Sequence, residues 1–229
     1  MGSSRAATIK TILFDLDGTL IDTEPAAAEA VDRCFSTWGI QIEAADATFV
    51  TGRTWQSAFD HLFAKYRLPV AADQAAQTVL TAYRDSLARH LPIVPGGAEA
   101  VRALAAEYHL GLVSGSHCSE IFFALDKLGI RSHFDVVYGA EDYPRSKPAP
   151  DGYLKALGTL GHDAAECLIF EDSSAGIQSA LDAGAWVVAI TATNHFAQNL
   201  ALAHHKIPDL RGVTPDWVRQ ISAKFLRSS

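Results

Sequence analysis

The chain has 229 residues, 48% of them hydrophobic and 20% charged, which is the composition of an ordinary globular protein of one or two domains. The formal net charge of -7 comes with no basic stretch, which excludes a nucleic-acid or anionic-membrane surface as the reading. No apolar run reaches the roughly 18 residues that span a bilayer, and Cys34, Cys118 and Cys167 are too few and too scattered for a disulfide framework or a zinc site. Residues 1–10 lack the apolar core of a secretory signal, so a reducing cytoplasm is the expected compartment. A monomer is assumed.

Along the chain, short apolar runs read as strands: Thr11 to Phe14, Leu110 to Val113, Phe134 to Tyr138, Cys167 to Phe170 and Trp186 to Ile190. Most are too short and too uniformly apolar for half-exposed strands, so they belong to a parallel sheet buried on both faces. Amphipathic segments lie between them. Val101, Leu104, Ala105 and Tyr108 recur at helical spacing, as do Ile121, Leu125 and Leu128, with Gly129 as a stop. Alternating strand and helix predict an α/β doubly wound domain.

Residues 23–90 break the alternation. Three apolar stripes of helical period run through them: Val31, Cys34, Phe35 and Trp38; Trp55, Phe59, Leu62, Phe63 and Tyr66; Ala76, Val79, Leu80, Tyr83 and Leu87. Such helices must bury their stripes together. The chain is therefore expected to form a core from 8–22 and 91–229 and to carry an inserted helical cap domain at 23–90.

In open α/β sheets ligands bind at the carboxyl ends of the strands. Asp15, Asp17, Gly18 and Thr19 follow the first predicted strand, and Ser114, Gly115 and Ser116 the second. The third leads toward Lys147, and the fourth ends in Glu171, Asp172, Ser173 and Ser174. Taken singly, Asp17-Gly18 is a turn, Glu171-Asp172 precedes a helix N-cap at Ser173 or Ser174, and Lys147 is a surface lysine. Taken together, the four carboxylates need a cation, and all-oxygen ligation suits Mg²⁺. Lys147 can balance a carboxylate or hold a phosphate. Ser114 offers a hydroxyl, and Gly115 admits close approach of an oxyanion. His117 and Cys118 read as a helix start, and the adjacent His204 and His205 would diverge on a helix and form no metal site.

These residues resemble the four motifs of the haloacid dehalogenase-like (HAD) hydrolases. Asp15-Leu16-Asp17-Gly18-Thr19 matches the first, Ser114 the second, Lys147 in Ser146-Lys147-Pro148 the third, and Glu171-Asp172-Ser173-Ser174-Ala175-Gly176 the fourth. The inserted cap resembles the subclass of β-phosphoglucomutase and the phosphoglycolate and sugar-phosphate phosphatases. The resemblance implies a Rossmann-like core and a Mg²⁺-dependent phosphatase acting on a small phosphorylated metabolite. It casts Asp15 as nucleophile and Asp17 as general acid and base, with Ser114, Gly115 and Lys147 on the phosphoryl oxygens. The metal would be held by Asp15, the Asp17 carbonyl and Asp172, with Glu171 close by or ligating through water. Arg53 resembles the cap arginine that meets the far end of the substrate.

Asp17 argues against carbon–halogen chemistry, because dehalogenases of the family lack that second aspartate. Ala27 stands where the mutase places a cap-hinge histidine, so mutase activity is the alternative rather than the expectation. A non-catalytic metabolite-binding protein on the same fold is the second alternative.

Overall fold

The computed structural model describes residues 8–50, 55–195 and 197–225, with 47 and 48 described by backbone alone. The chain divides into two compact units, one of residues 1–21 and 93–229 and one of Asp22–Pro92.

The first unit is built on a six-stranded parallel sheet: β1 (Thr11–Phe14), β2 (His109–Val113), β3 (Val136–Tyr138), β4 (Cys167–Glu171), β5 (Trp186–Ile190) and β6 (His205–Ile207), in the order β3-β2-β1-β4-β5-β6. Among the described residues this unit carries the α-helices α5 (Gly97–Leu104), α6 (Cys118–Leu128), α7 (Asp151–Leu160), α8 (Ser174–Asp182) and α9 (Pro215–Phe225). Every residue of β1 and β4 is buried, which is why these strands are apolar without alternation. Leu13, Val113, Ile169 and Val187 form one core with Tyr153, Ala156 and Leu157 of α7 and Ile177 and Ala180 of α8. Phe14 and Phe170, on neighbouring strands, stack at 5.1 Å. Each such fully buried side chain stabilises the fold by about 1.5–3 kcal/mol.

The second unit holds α1 (Glu24–Thr37), α2 (Ala44–Val50), α3 (Trp55–Lys65) and α4 (Ala72–Arg89). Val31, Cys34, Phe35, Val50, Ala58, Phe59, Leu62 and Val79 make its core, so the three predicted stripes do converge. Asp46, buried on α2, accepts hydrogen bonds at 2.8 Å from Lys65 and 2.5 Å from Tyr66, and its other oxygen lies 2.8 Å from Nε2 of His61. This charged fastener ties α2 to α3. No helix among the described residues is long and apolar enough to cross a membrane.

The structure departs from the sequence reading in four elements. The short α2 had no stripe long enough to show. The third strand begins at Val136, because a 3₁₀ turn at Arg131–His133 precedes it and Phe134 spends its apolar ring against Phe14, edge-on at 6.2 Å. Helix α5 ends at Leu104, short of Tyr108. His204 and His205 are not on a helix: His205 opens the edge strand β6, whose pattern of half-buried, exposed and half-buried residues carries little apolar signal.

Candidate active site

The strand order reverses at β1, so β2 and β4 diverge from it on either side and leave a crevice at their carboxyl ends. Phe14 and Phe170 are in register, and the Asp15 amide continues the ladder to the Phe170 carbonyl at 3.0 Å. Asp15 and Glu171 therefore leave the sheet as neighbours. Lys147 reaches them from the loop before α7. Its ammonium donates to Asp15 Oδ1 at 2.5 Å, Glu171 Oε1 at 2.6 Å and the Val113 carbonyl at 3.1 Å, which uses all three of its protons.

Glu171 is fully buried, and its carboxylate accepts from five donors. Oε1 accepts from Lys147 and, at 2.8 Å, from the buried Tyr153 hydroxyl. Oε2 accepts from the Asp172 amide at 3.0 Å and from the Ser173 amide and hydroxyl, both at 3.2 Å. Ser173 at the same time caps α8 by accepting from the Gly176 amide at 3.0 Å. One hydroxyl therefore serves both the helix cap and the Glu171 carboxylate.

After Asp15 the chain folds into a tight turn. The amides of Leu20 and Ile21 donate to the Leu16 carbonyl at 2.8 and 3.1 Å, and the Gly18 amide donates to the Ile21 carbonyl at 2.6 Å. Gly18 has φ +84°, and a Cβ there would lie 2.1 Å from Oδ2 of Asp172, so glycine is required by conformation and by space alike. The turn presents the Asp17 carboxylate to β2. Its Oδ2 accepts from the Ser116 hydroxyl at 2.7 Å and from the Ser114 hydroxyl at 3.3 Å, while Ser114 Oγ accepts from the Ser116 amide at 3.0 Å. The Tyr143 hydroxyl fixes the Ser114 carbonyl at 2.7 Å.

The Asp15 and Glu171 carboxylates thus share the Lys147 ammonium. Burial pushes the Asp15 pKa well above the usual carboxylate range; Lys147 pulls it back, and Glu171 and Asp17 add to the rise. Burial works against the Lys147 charge, yet the Asp15 and Glu171 carboxylates outweigh it and hold that pKa well above the ordinary lysine value. Asp15, Glu171 and Asp172 are all buried and each offers a carboxylate oxygen, these oxygens lying within 4.8 Å of one another. That all-oxygen donor set fits a hard divalent cation such as Mg²⁺. Five donors already engage the oxygens of Glu171.

The structure thus gathers Asp15, Asp17, Ser114, Lys147, Glu171 and Asp172 at one end of the sheet. Gly115 is exposed beside them, with nothing within 4 Å of where its Cβ would stand, so protein packing does not demand glycine there. Arg53 lies outside the described residues. Sequence reasoning gave no role to Ser116, Tyr143, Tyr153 or Thr193. Thr193 was findable: it sits just past the carboxyl end of β5, where the strand-end rule that located the other residues also applies.

Fold and site define an α/β enzyme with an acidic, cation-fitting centre at the switch point of its sheet. The family model of haloacid dehalogenase-like hydrolases matches residues 12–190, and the chain belongs to that family. Validoxylamine A 7'-phosphate phosphatase of Streptomyces hygroscopicus subsp. limoneus is 34% identical over 89% of this chain and 95% of its own length. Hexitol phosphatase A of Escherichia coli (strain K12) is 33% identical over 80% of this chain and 83% of its own. Among solved structures, β-phosphoglucomutase of Clostridium difficile superposes with a TM-score of 0.77 at 21% identity, covering 96% of this chain and all of that one; at this identity the likeness is one of fold.

Proposed function

We propose that the chain is a Mg²⁺-dependent phosphatase that hydrolyses a small phosphomonoester, a sugar phosphate or similar metabolite, through an aspartyl-phosphate on Asp15. The observation that carries the reading is the pairing of two aspartates in different settings. Asp15 is buried against Lys147, while Asp17 faces the crevice on two serine hydroxyls. The two relatives described above, one named as a validoxylamine A 7'-phosphate phosphatase and the other as a hexitol phosphatase, support it.

In this reading an Asp15 carboxylate oxygen attacks phosphorus and the ester P–O bond breaks. Asp17 gives its proton to the departing alcohol oxygen. Asp17 then takes a proton from water, the water oxygen attacks the phosphorus of the acyl phosphate, and the bond to Asp15 breaks to free inorganic phosphate. Ser114 and Gly115 would hold the phosphoryl oxygens, with Lys147 as the balancing charge. Arg53 would meet the remote end of the substrate. Mg²⁺ would be held by Asp15, Asp172 and the Asp17 carbonyl, with Glu171 fixing Lys147 beside it; bound there, it would neutralise the phosphoryl charge that otherwise repels Asp15.

Phosphate release from a panel of hexose, pentose, hexitol and glycerol phosphates, phosphoglycolate and nucleotides, with Mg²⁺ and with EDTA, tests the proposal. Release that requires Mg²⁺ is expected, strongest on a polyol or sugar phosphate. No release from any ester would reject the phosphatase reading, and conversion of β-glucose 1-phosphate with a bisphosphate primer would then identify the mutase.

A further inference from the structure

The turn that carries Asp17 is held from a side that none of the four motifs supplies. Thr193 is buried, and its hydroxyl donates to the Gly18 carbonyl at 2.6 Å. The Gly18 amide is held by the Ile21 carbonyl at 2.6 Å, so the peptide groups on both sides of the Gly18 α-carbon are fixed. Those groups set the backbone angles of a residue already in the left-handed region. Glycine has no Cβ to confine it there, so external hydrogen bonds must choose its conformation.

Thr193 itself stands on firm ground. The Thr191 and Ala192 amides donate to the carbonyls of Ile207 and Pro208 at 2.9 and 3.0 Å, which extends the pairing of β5 with β6 to the edge of the site. The same loop reaches the start of α8, where Gln198 Oε1 accepts from the Ser174 amide at 3.0 Å. Asn194 locks the loop by exchanging hydrogen bonds with the Gln198 main chain, accepting at 2.7 Å and donating at 3.0 Å. One segment after β5 therefore grips both acidic runs of the site.

We propose that Thr193 is a positioning residue: its hydroxyl fixes the Gly18 peptide and, through it, the placement of Asp17 over the reacting ester. The kinetic consequence rests on the phosphatase reading. The structural consequence does not. Catalytic groups must be held within about 0.5 Å of the productive geometry, and a displacement of about 1 Å can cost a hundredfold in rate.

The test compares Thr193→Val, which keeps shape and loses the hydroxyl, with Thr193→Ser, which keeps the hydroxyl, and with Thr193→Ala. Val and Ala are expected to lower kcat about tenfold to a hundredfold with KM changed less than about twofold, and Ser to restore it. Hydrogen exchange read by mass spectrometry is expected to quicken at Gly18–Ile21 in Val and Ala and nowhere else. Wild-type kcat and wild-type protection in Val and Ala would overturn the proposal. So would a Ser variant as impaired as Val, or protection lost throughout the chain in both Val and Ala, which would make Thr193 merely structural. If the wild-type protein cleaves no ester, the phosphatase reading falls by itself, and exchange at Gly18–Ile21 still decides the role of Thr193.

Discussion

Gly176→Ala sets two effects of opposite sign against each other. Gly176 lies in the first turn of α8, and helix propensity alone favours alanine by about 1 kcal/mol. A Cβ at this position, however, would stand 1.8 Å from Oε1 of Glu171 and 2.1 Å from Oε2. Ordinary contact needs a shift of roughly 1.5 Å or more. Glu171 has nowhere to go without leaving Lys147 and Tyr153, which hold it at 2.6 and 2.8 Å. Overpacking costs about 1–3 kcal/mol, and surrendering one hydrogen bond to a charged group costs about 1.5–3 kcal/mol. The net expectation is a loss of about 2–5 kcal/mol. At about 2–4 °C per kcal/mol for a chain of this size, scanning calorimetry should show Tm lower by about 4–20 °C. Turnover should fall as well, because Glu171 holds the lysine that faces Asp15. A variant as stable as the parent, or more so, would refute the reasoning: Glu171 would then not be fixed by its five donors.

Two further outcomes follow from the same structure. Ser116→Ala removes the 2.7 Å hydrogen bond to Asp17 from a half-buried position, so steady-state kinetics should show kcat down by about tenfold or more with the melting temperature nearly unchanged; equal kcat would remove Ser116 from the account. In the helical unit, hydrogen bonds from Lys65, Tyr66 and His61 hold the Asp46 pKa well below the usual carboxylate range. A depressed carboxylate contributes stability that is complete above its unfolded pKa, about 4, and is lost as pH falls through the lower folded value. Acid titration should therefore show the parent losing stability more steeply below about pH 4 than Asp46→Asn; parallel curves would contradict the fastener.

Much of the fold was readable from the chain because burial on both faces left β1, β2, β4 and β5 as bare apolar runs between turn signals. Edge strand β6 was not, since a strand half in solvent needs no apolar run, and α2 was too short to show a period. The strand-end rule picked out the carboxylates and the lysine. The parts left without a role bond through hydroxyls. Tyr153 looks like any core aromatic on α7 until its hydroxyl is seen to meet Glu171, and Ser116 is one of several serines near β2 until its distance to Asp17 is known. Local chemistry also carries two meanings at once. Asp17-Gly18 is a turn and Ser173 is a helix cap, and neither fact distinguishes them from ordinary punctuation without the other strand ends.

The central claim is that Asp15 takes the phosphoryl group. The direct measurement is a rapid-quench reaction with a cleaved ester in Mg²⁺, followed by mass spectrometry of the peptide that contains Asp15. A phosphorylated peptide that forms and decays within a turnover, with the modification on Asp15 and absent from a folded but inactive Asp15→Asn, is the expected result. Steady phosphate release by Asp15→Asn at near-parent rate, with no phosphorylated peptide in either protein, would contradict the account.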